Sequence, residues 1–234
     1  MLIEKFRISD KFFTFGLKFD LWVIKDIFLG FIIVSIAIII FYLFAFITGS
    51  KITFHEPLYL TFLTFTLTTY FLAASEELLF RGIIFQAVLE RFKPGFTIIF
   101  TSIIFALAHF LNPHYTFLSA FNIFLAGILL AIMYIKTLSL WLPITFHFLW
   151  NWCQLVFLGS PISGYNNDSF IIKVDFSTLP HWLSGGEFGI EGGIITTLLL
   201  LSFTIIVIRY SDDSPYISSI LFKRRYLESQ LLSG

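Results

Sequence analysis

The chain has 234 residues, of which 57% are hydrophobic and 13% charged, and it carries no net charge at pH 7. Soluble domains usually contain about 25% charged residues, so the composition excludes an ordinary soluble fold and predicts an integral membrane protein. The balanced charge also gives no reason to expect a nucleic-acid partner.

Apolar runs of about 20 residues indicate transmembrane helices. The sequence predicts about six such segments in one membrane domain, residues 27–209. We therefore expect an all-α fold, a polytopic membrane helix bundle, with its spans at residues 27–47, 58–92, 96–111, 117–135, 138–158 and 190–208.

Both ends of the chain mix basic and aromatic residues. Residues 1–26 predict an amphipathic segment on the cytoplasmic membrane surface, and residues 210–234 predict a cytoplasmic tail. In a six-helix arrangement these ends lie on the same side as the turns that contain Lys93 and Lys136. Because positively charged segments stay inside, we expect both termini in the cytoplasm and the lipid bilayer as a partner.

Polar residues spaced four apart interrupt three of the apolar segments. They are Glu77 and Arg81, which follow Glu76, then His109 four residues after Phe105, and finally His147 and Asn151. Ionisable side chains are costly within hydrocarbon, so residues of this kind are functional candidates.

Helical phase separates the two neighbouring glutamates. Glu77 and Arg81 share a helix face and predict a buried ion pair. Glu76 is rotated by about 100° from Glu77, which leaves it free to act on water as a general base. Phe105 shares a face with His109 and is expected to pack against its ring.

Counting residues from the two basic turns gives the depth of each polar group. At about 1.5 Å per residue, Glu76, His109 and His147 lie within about one helical turn of the same level. Each histidine alone is compatible with an ordinary core residue. Together with the glutamates, they predict one shared cavity.

The three patterns resemble motifs of a known family. The stretch from Glu76 to Arg81 resembles the EExxxR motif of the CAAX-protease and bacteriocin-processing family of intramembrane proteases (the CPBP or Abi family). Phe105 to His109 resembles its FxxxH motif, and His147 to Asn151 its HxxxN motif. The resemblance covers residues 58–155.

This resemblance implies an endopeptidase that hydrolyses a peptide bond in a membrane-associated or hydrophobic peptide. Glu76 would be the general base, His109 its partner on the catalytic water, and His147 with Asn151 would stabilise the oxyanion. Bacterial immunity and lysostaphin-resistance proteins resemble this family, which implies a bacterial plasma membrane. The predicted spans are fewer than those of the eukaryotic CAAX prenyl endopeptidase, so a CAAX substrate is not implied.

The family's pattern also assigns supporting roles to Glu77 and Arg81, and it leaves metal dependence open. We expect no required cofactor, because the HExxH arrangement of zinc proteases is absent. The alternative is a zinc ion bound by Glu76, His109 and His147.

Two other functions fit the same polar residues. One is a non-catalytic membrane scaffold or bacteriocin-immunity protein of the same family. The other is a proton-coupled transporter, since intramembrane acids and histidines also build ion pathways. The sequence shows no inverted repeat of the kind common in transporters, which disfavours the second.

Overall fold

The computed structural model describes residues 16–17, 19, 21–56, 59–166 and 170–210. Most of the predicted amphipathic segment 1–26 and nearly all of the predicted tail 210–234 lie outside these residues. The predicted helical fold is confirmed, because long helices dominate the described chain. The main helices are α1 (Leu21–Thr48), α2 (Tyr59–Glu77), α3 (Pro94–Ala108), α4 (Phe117–Thr137), α5 (Trp141–Leu158), the short α6 (His181–Ser184) and α7 (Ile194–Tyr210).

Two helices of the described chain, α1 and α4, are long and apolar enough to cross a membrane. Helix α3 and residues 194–209 are apolar but shorter. Each of the six predicted segments is helical over most of its length, whereas their number as membrane spans stays a prediction. Helix α1 begins at Leu21 rather than at residue 27, so the last part of the predicted surface segment continues directly into it.

The second predicted helix is not uniform. After α2 the chain continues as a π-helical segment, Leu78–Phe85, and ends in an α-helical turn, Gln86–Leu89. A π-helical segment places an extra residue in the helical turn and occurs frequently at functional sites. Here it carries Arg81, the basic residue of the first motif.

The described chain also contains two short strands, β1 (Lys51–Phe54) and β2 (Ile172–Asp175), in segments that we expected to be loops. They pair antiparallel, with Lys51 opposite Asp175. Both are four residues long and rich in β-branched or aromatic side chains, which favour strands. Such short runs give little sequence signal until the partner strand, more than 100 residues away, is known.

Helix α5 is the centre of the bundle, where it packs against α1, α2 and α4, while α4 also packs against α3 and α7. Its buried apolar face includes Leu142, Phe146 and Leu155. The second motif thus lies at the carboxyl end of α3, and the third motif lies in the middle of α5.

Gly127 allows the closest approach between α3 and α4. A Cβ atom added there would lie 3.0 Å from both Cα and Cβ of Ser102. We expect Gly127→Leu to lower the free energy of unfolding by about 1–3 kcal/mol, the usual effect of overpacking, measured by thermal unfolding in detergent. Gly95→Leu is the matched control, since no atom lies within 4 Å of its added Cβ. Equal melting temperatures for the two variants would contradict this packing argument.

Candidate active site

A cavity of about 370 Å³ lies among α2, α3, α4, α5 and α7, and it is lined by motif residues other than Glu77 and Arg81. Its polar lining includes Glu76, His109, His147 and Asn151. Most of the remaining lining is apolar. The structure thus brings together, in one cavity, residues that are up to 75 positions apart in the sequence.

Glu77 is the fully buried centre of the polar network. Its Oε1 accepts one hydrogen bond from Arg81 Nη1 and another from His147 Nδ1, each 2.8 Å long. Because an ionised carboxylate only accepts hydrogen bonds, the proton on this side of the imidazole belongs to Nδ1. Glu77 therefore orients His147 as well as pairing with Arg81, a contact that the sequence reasoning missed.

Arg81 joins three elements at the base of the cavity. Its Nη2 donates to the backbone oxygen of Gly127 on α4, at 3.1 Å. Its guanidinium carbon lies 4.6 Å from the ring centroid of Phe105 on α3, within cation–π range. Arg81 thus ties the π-helical segment to both neighbouring helices, as expected of a supporting residue.

His109 lies just beyond α3 and is not inside it. The helix ends at Ala108, and His109 is its C-cap with φ −95° and ψ 0°. We predicted that the helix continues to residue 111. The chain leaves the helix earlier, because the amides of His109 and Phe110 bond three residues back, to the backbone oxygens of Ala106 and Leu107, in the tighter turn common at helix ends. At this position the imidazole lies just past the last residue of α3 and lines the cavity.

The orientation of the His109 ring follows from one hydrogen bond. Nδ1 lies 2.8 Å from the backbone oxygen of Phe105, and a carbonyl only accepts, so Nδ1 carries the proton. The Phe105 ring packs on the imidazole with centroids 4.7 Å apart. The free nitrogen, Nε2, therefore faces the cavity and Glu76.

Glu76 lies between the two imidazoles. Its Oε2 is 3.9 Å from His109 Nε2 and 3.9 Å from His147 Nε2. This oxygen is buried and has no hydrogen-bond partner among the described residues. Hydrogen bonds span about 2.7–3.2 Å, so 3.9 Å is too long for a direct bond but lets one water molecule bond to both atoms.

Asn151 lies one turn beyond His147 on α5 and shares its face. Its side chain is nearly buried and lines the same cavity. A carboxamide supplies two N–H donors. Asn151 can therefore donate to an oxygen bound beside His147, which is what an oxyanion site requires.

The side chains of Glu76, His109 and His147 are of the types that bind zinc. Among the described residues, no group of three or more His, Cys, Asp or Glu is arranged to hold a metal ion. Zinc binding by Glu76, His109 and His147 therefore stays a prediction.

A partly buried carboxylate, Glu191, forms part of the outer wall of the cavity. Its Oε1 accepts from Trp150 Nε1 at 2.9 Å and from Gln154 Nε2 at 3.1 Å, and its Oε2 accepts from both the amide and the hydroxyl of Ser163 at 2.8 Å. The sequence reasoning missed Glu191 because it lies at the predicted boundary between a loop and the last span. An acid directly before an apolar run was the available signal.

The turn at residues 162–165 is held rigidly against this wall. Ile162 and Tyr165 form an antiparallel bridge, and Ser163 between them adopts a φ of +49°. Gly164 follows at φ +88°, and a Cβ atom there would lie 2.1 Å from the backbone oxygen of Pro113. Only glycine fits this approach, so the turn covers one side of the cavity in a single arrangement.

One comparison with known proteins matches the part of the chain that contains the site. Residues 57–153, which contain all three motifs, match the family model described as type II CAAX prenyl endopeptidase Rce1-like. No curated protein and no solved structure matches the chain significantly. The match and the geometry involve the same stretch of sequence. Over residues 57–153, the chain is therefore similar to the CAAX protease family of membrane endopeptidases.

Proposed function

We propose that the protein is an intramembrane endopeptidase in which Glu76 activates the attacking water. The observation that carries this proposal is the position of Glu76 Oε2. This atom is buried, has no hydrogen-bond partner among the described residues, and lies 3.9 Å from the Nε2 atoms of both His109 and His147. A general base must reach the proton that it removes directly or through one water. The family match makes peptide hydrolysis the reaction to which this arrangement applies.

In the first step, a water molecule donates one hydrogen bond to the Glu76 carboxylate and one to His109 Nε2. Its oxygen attacks the carbonyl carbon of the scissile peptide bond, and Glu76 takes the released proton. The carbonyl oxygen becomes the oxyanion of a tetrahedral intermediate. His109 thereby orients the water, since its own proton is held on Nδ1 by Phe105.

The oxyanion would be stabilised by Asn151 and His147. Asn151 donates from its amide, and His147 donates from Nε2 when the ring is protonated on both nitrogens. Glu77 holds the His147 ring in place because its carboxylate accepts from Nδ1. In the second step, Glu76 gives its proton to the leaving nitrogen, the C–N bond breaks, and the products are one carboxylic acid and one amine.

The substrate would be a membrane-associated or hydrophobic peptide held with its backbone extended. Amides in a helix are already hydrogen-bonded within the membrane, so the cleaved stretch must be unwound to be attacked. The mainly apolar cavity lining suits such a peptide. A bundle of six spans in a bacterial plasma membrane, with both termini in the cytoplasm, is the arrangement that we propose for the whole chain.

The proposal is tested by membrane peptidomics in water enriched in oxygen-18. We expect new peptide carboxyl termini that carry the label in membranes containing the protein. Asn151→Ala should reduce their formation about 10²–10³-fold, the usual loss for one oxyanion donor. Asn166→Ala, the same change on an exposed loop residue, is the control and should match the wild type.

Three outcomes of this experiment carry separate meanings. Equal labelled products with and without the protein would overturn the endopeptidase function in favour of a non-catalytic scaffold or immunity protein. Equal products from Asn151→Ala and wild type would overturn the oxyanion role. A chelator that stops cleavage would show that a metal ion takes part, contrary to the proposed chemistry.

A further inference from the structure

The cavity extends towards one end of the helix bundle. Its lining beyond the helices comes from Asn112, Ile162, Ser163, Tyr165 and Glu191. These residues belong to the segments that follow α3, follow α5 and precede α7. No residue of the turns at 90–93 and 137–140, at the opposite ends of the same helices, lines the cavity.

The two ends of the bundle differ sharply in charge. The chain has 15 Lys and Arg residues, and Arg81 lies in the site itself. At the end towards which the cavity extends, the basic residues are Lys51 and Lys173. Among the residues that the structure describes, the other end has Lys25, Arg91, Lys93, Lys136 and Arg209.

This asymmetry relates the cavity to the membrane. Basic residues near the ends of membrane helices are retained in the cytoplasm, so the end rich in Lys and Arg is the cytoplasmic one. The cavity lining contains residues of the other end. Tyr165, which is 59% exposed, marks the mouth.

We propose that the catalytic cavity opens on the extracytoplasmic side of the membrane. Its substrates are therefore membrane-anchored peptides whose scissile stretch emerges on that side. The substrate class in this inference rests on the proposed peptidase function, whereas the orientation of the cavity in the membrane does not depend on it. A peptide presented from the cytoplasm would meet the basic turns and the closed end of the cavity.

The lining also indicates how such a peptide is held. Leu72 on α2 and Leu79 in the π-helical segment that continues it line the cavity, and both are about half exposed. Together with Glu76 they lie on one face of the helix. The apolar anchor of a substrate can thus lie against α2 in the lipid while its emerging stretch enters beneath the rigid 162–165 turn.

The orientation is tested by cysteine labelling of the full chain. Cys153 is the single cysteine, so Cys153→Ser provides a background without thiols. Tyr165→Cys and Lys93→Cys are added separately, and cells are treated with a membrane-impermeant maleimide before and after permeabilisation. We expect Tyr165→Cys to react in intact cells and Lys93→Cys to react only after permeabilisation. The opposite pattern, or reaction of Tyr165→Cys only after permeabilisation, would overturn the proposal.

A second measurement tests the substrate class. Two reporter peptides contain the same apolar anchor and the same cleavable stretch, which is placed on the extracytoplasmic side in one and on the cytoplasmic side in the other. We expect cleavage of the first alone. Cleavage of the second alone would overturn the inference, whereas correct labelling without cleavage of either reporter would count against the peptidase function and leave the orientation standing.

Discussion

Replacing Glu76 by Gln is expected to lower the cleavage rate by about 10²–10⁴-fold, the usual contribution of a general base, while the protein still accumulates in membranes. Glutamine keeps the size and one carbonyl oxygen of the side chain but cannot take a proton from water. Because Oε2 of Glu76 has no hydrogen-bond partner among the described residues, the change removes no internal bond. The rate is measured with purified protein and a peptide found by the peptidomic experiment.

The matched control is Glu56→Gln, the same chemical change at an exposed position outside the cavity. We expect wild-type cleavage from this variant. If Glu76→Gln cleaves as fast as Glu56→Gln, the carboxylate is not the base, and the proposed mechanism is wrong even if the protein is a peptidase.

Removing the positive charge of Arg81 is expected to have the largest effect on stability. Arg81→Met leaves the fully buried Glu77 carboxylate without its cation and the Gly127 carbonyl without its donor. Breaking a buried ion pair on one side typically costs about 3–5 kcal/mol, which is a large part of the stability of many domains. We expect low accumulation in membranes and a clearly lower melting temperature in detergent.

The double variant Glu77→Gln/Arg81→Met separates charge from shape. It removes both charges, and the glutamine oxygen can still accept from His147 Nδ1. Replacing both members of a buried pair is often close to neutral for stability, so we expect accumulation to recover. Arg91→Met, at an exposed turn, is the control for the loss of an arginine. No recovery in the double variant would show that the contacts of Arg81 with Gly127 and Phe105 matter more than the buried charge.

The sequence was most informative where the chemistry is local. Glu77 and Arg81 lie on one helix, and their spacing alone predicts the pair that the structure contains. The depth of His109 and His147 follows from helical rise and short turns. Such quantities depend only on backbone geometry, which varies little among helices.

The missing parts depend on contacts between distant segments. The bond from His147 to Glu77 requires the rotation of α5 about its axis, which residue counting does not give. The position of His109 beyond the end of α3 depends on where the helix stops, and the role of Glu191 depends on the fold of the long segment before it. Loop conformations of this kind are set by tertiary packing, as the contact between Gly164 and Pro113 illustrates.

The position of Gly127 has a consequence for biogenesis. Glu77 and Arg81 neutralise each other within a single helical stretch, so this ion pair can enter the bilayer before any neighbouring helix is present. Arg81 can form its second hydrogen bond only when α4, which contains the Gly127 carbonyl, has been synthesised. The hydrogen bond from His147 to Glu77 forms later still, because His147 lies on α5. The hydrogen bonds of the polar network thus form in the order in which the helices are synthesised. The catalytic geometry is complete only after the last motif has been inserted into the membrane.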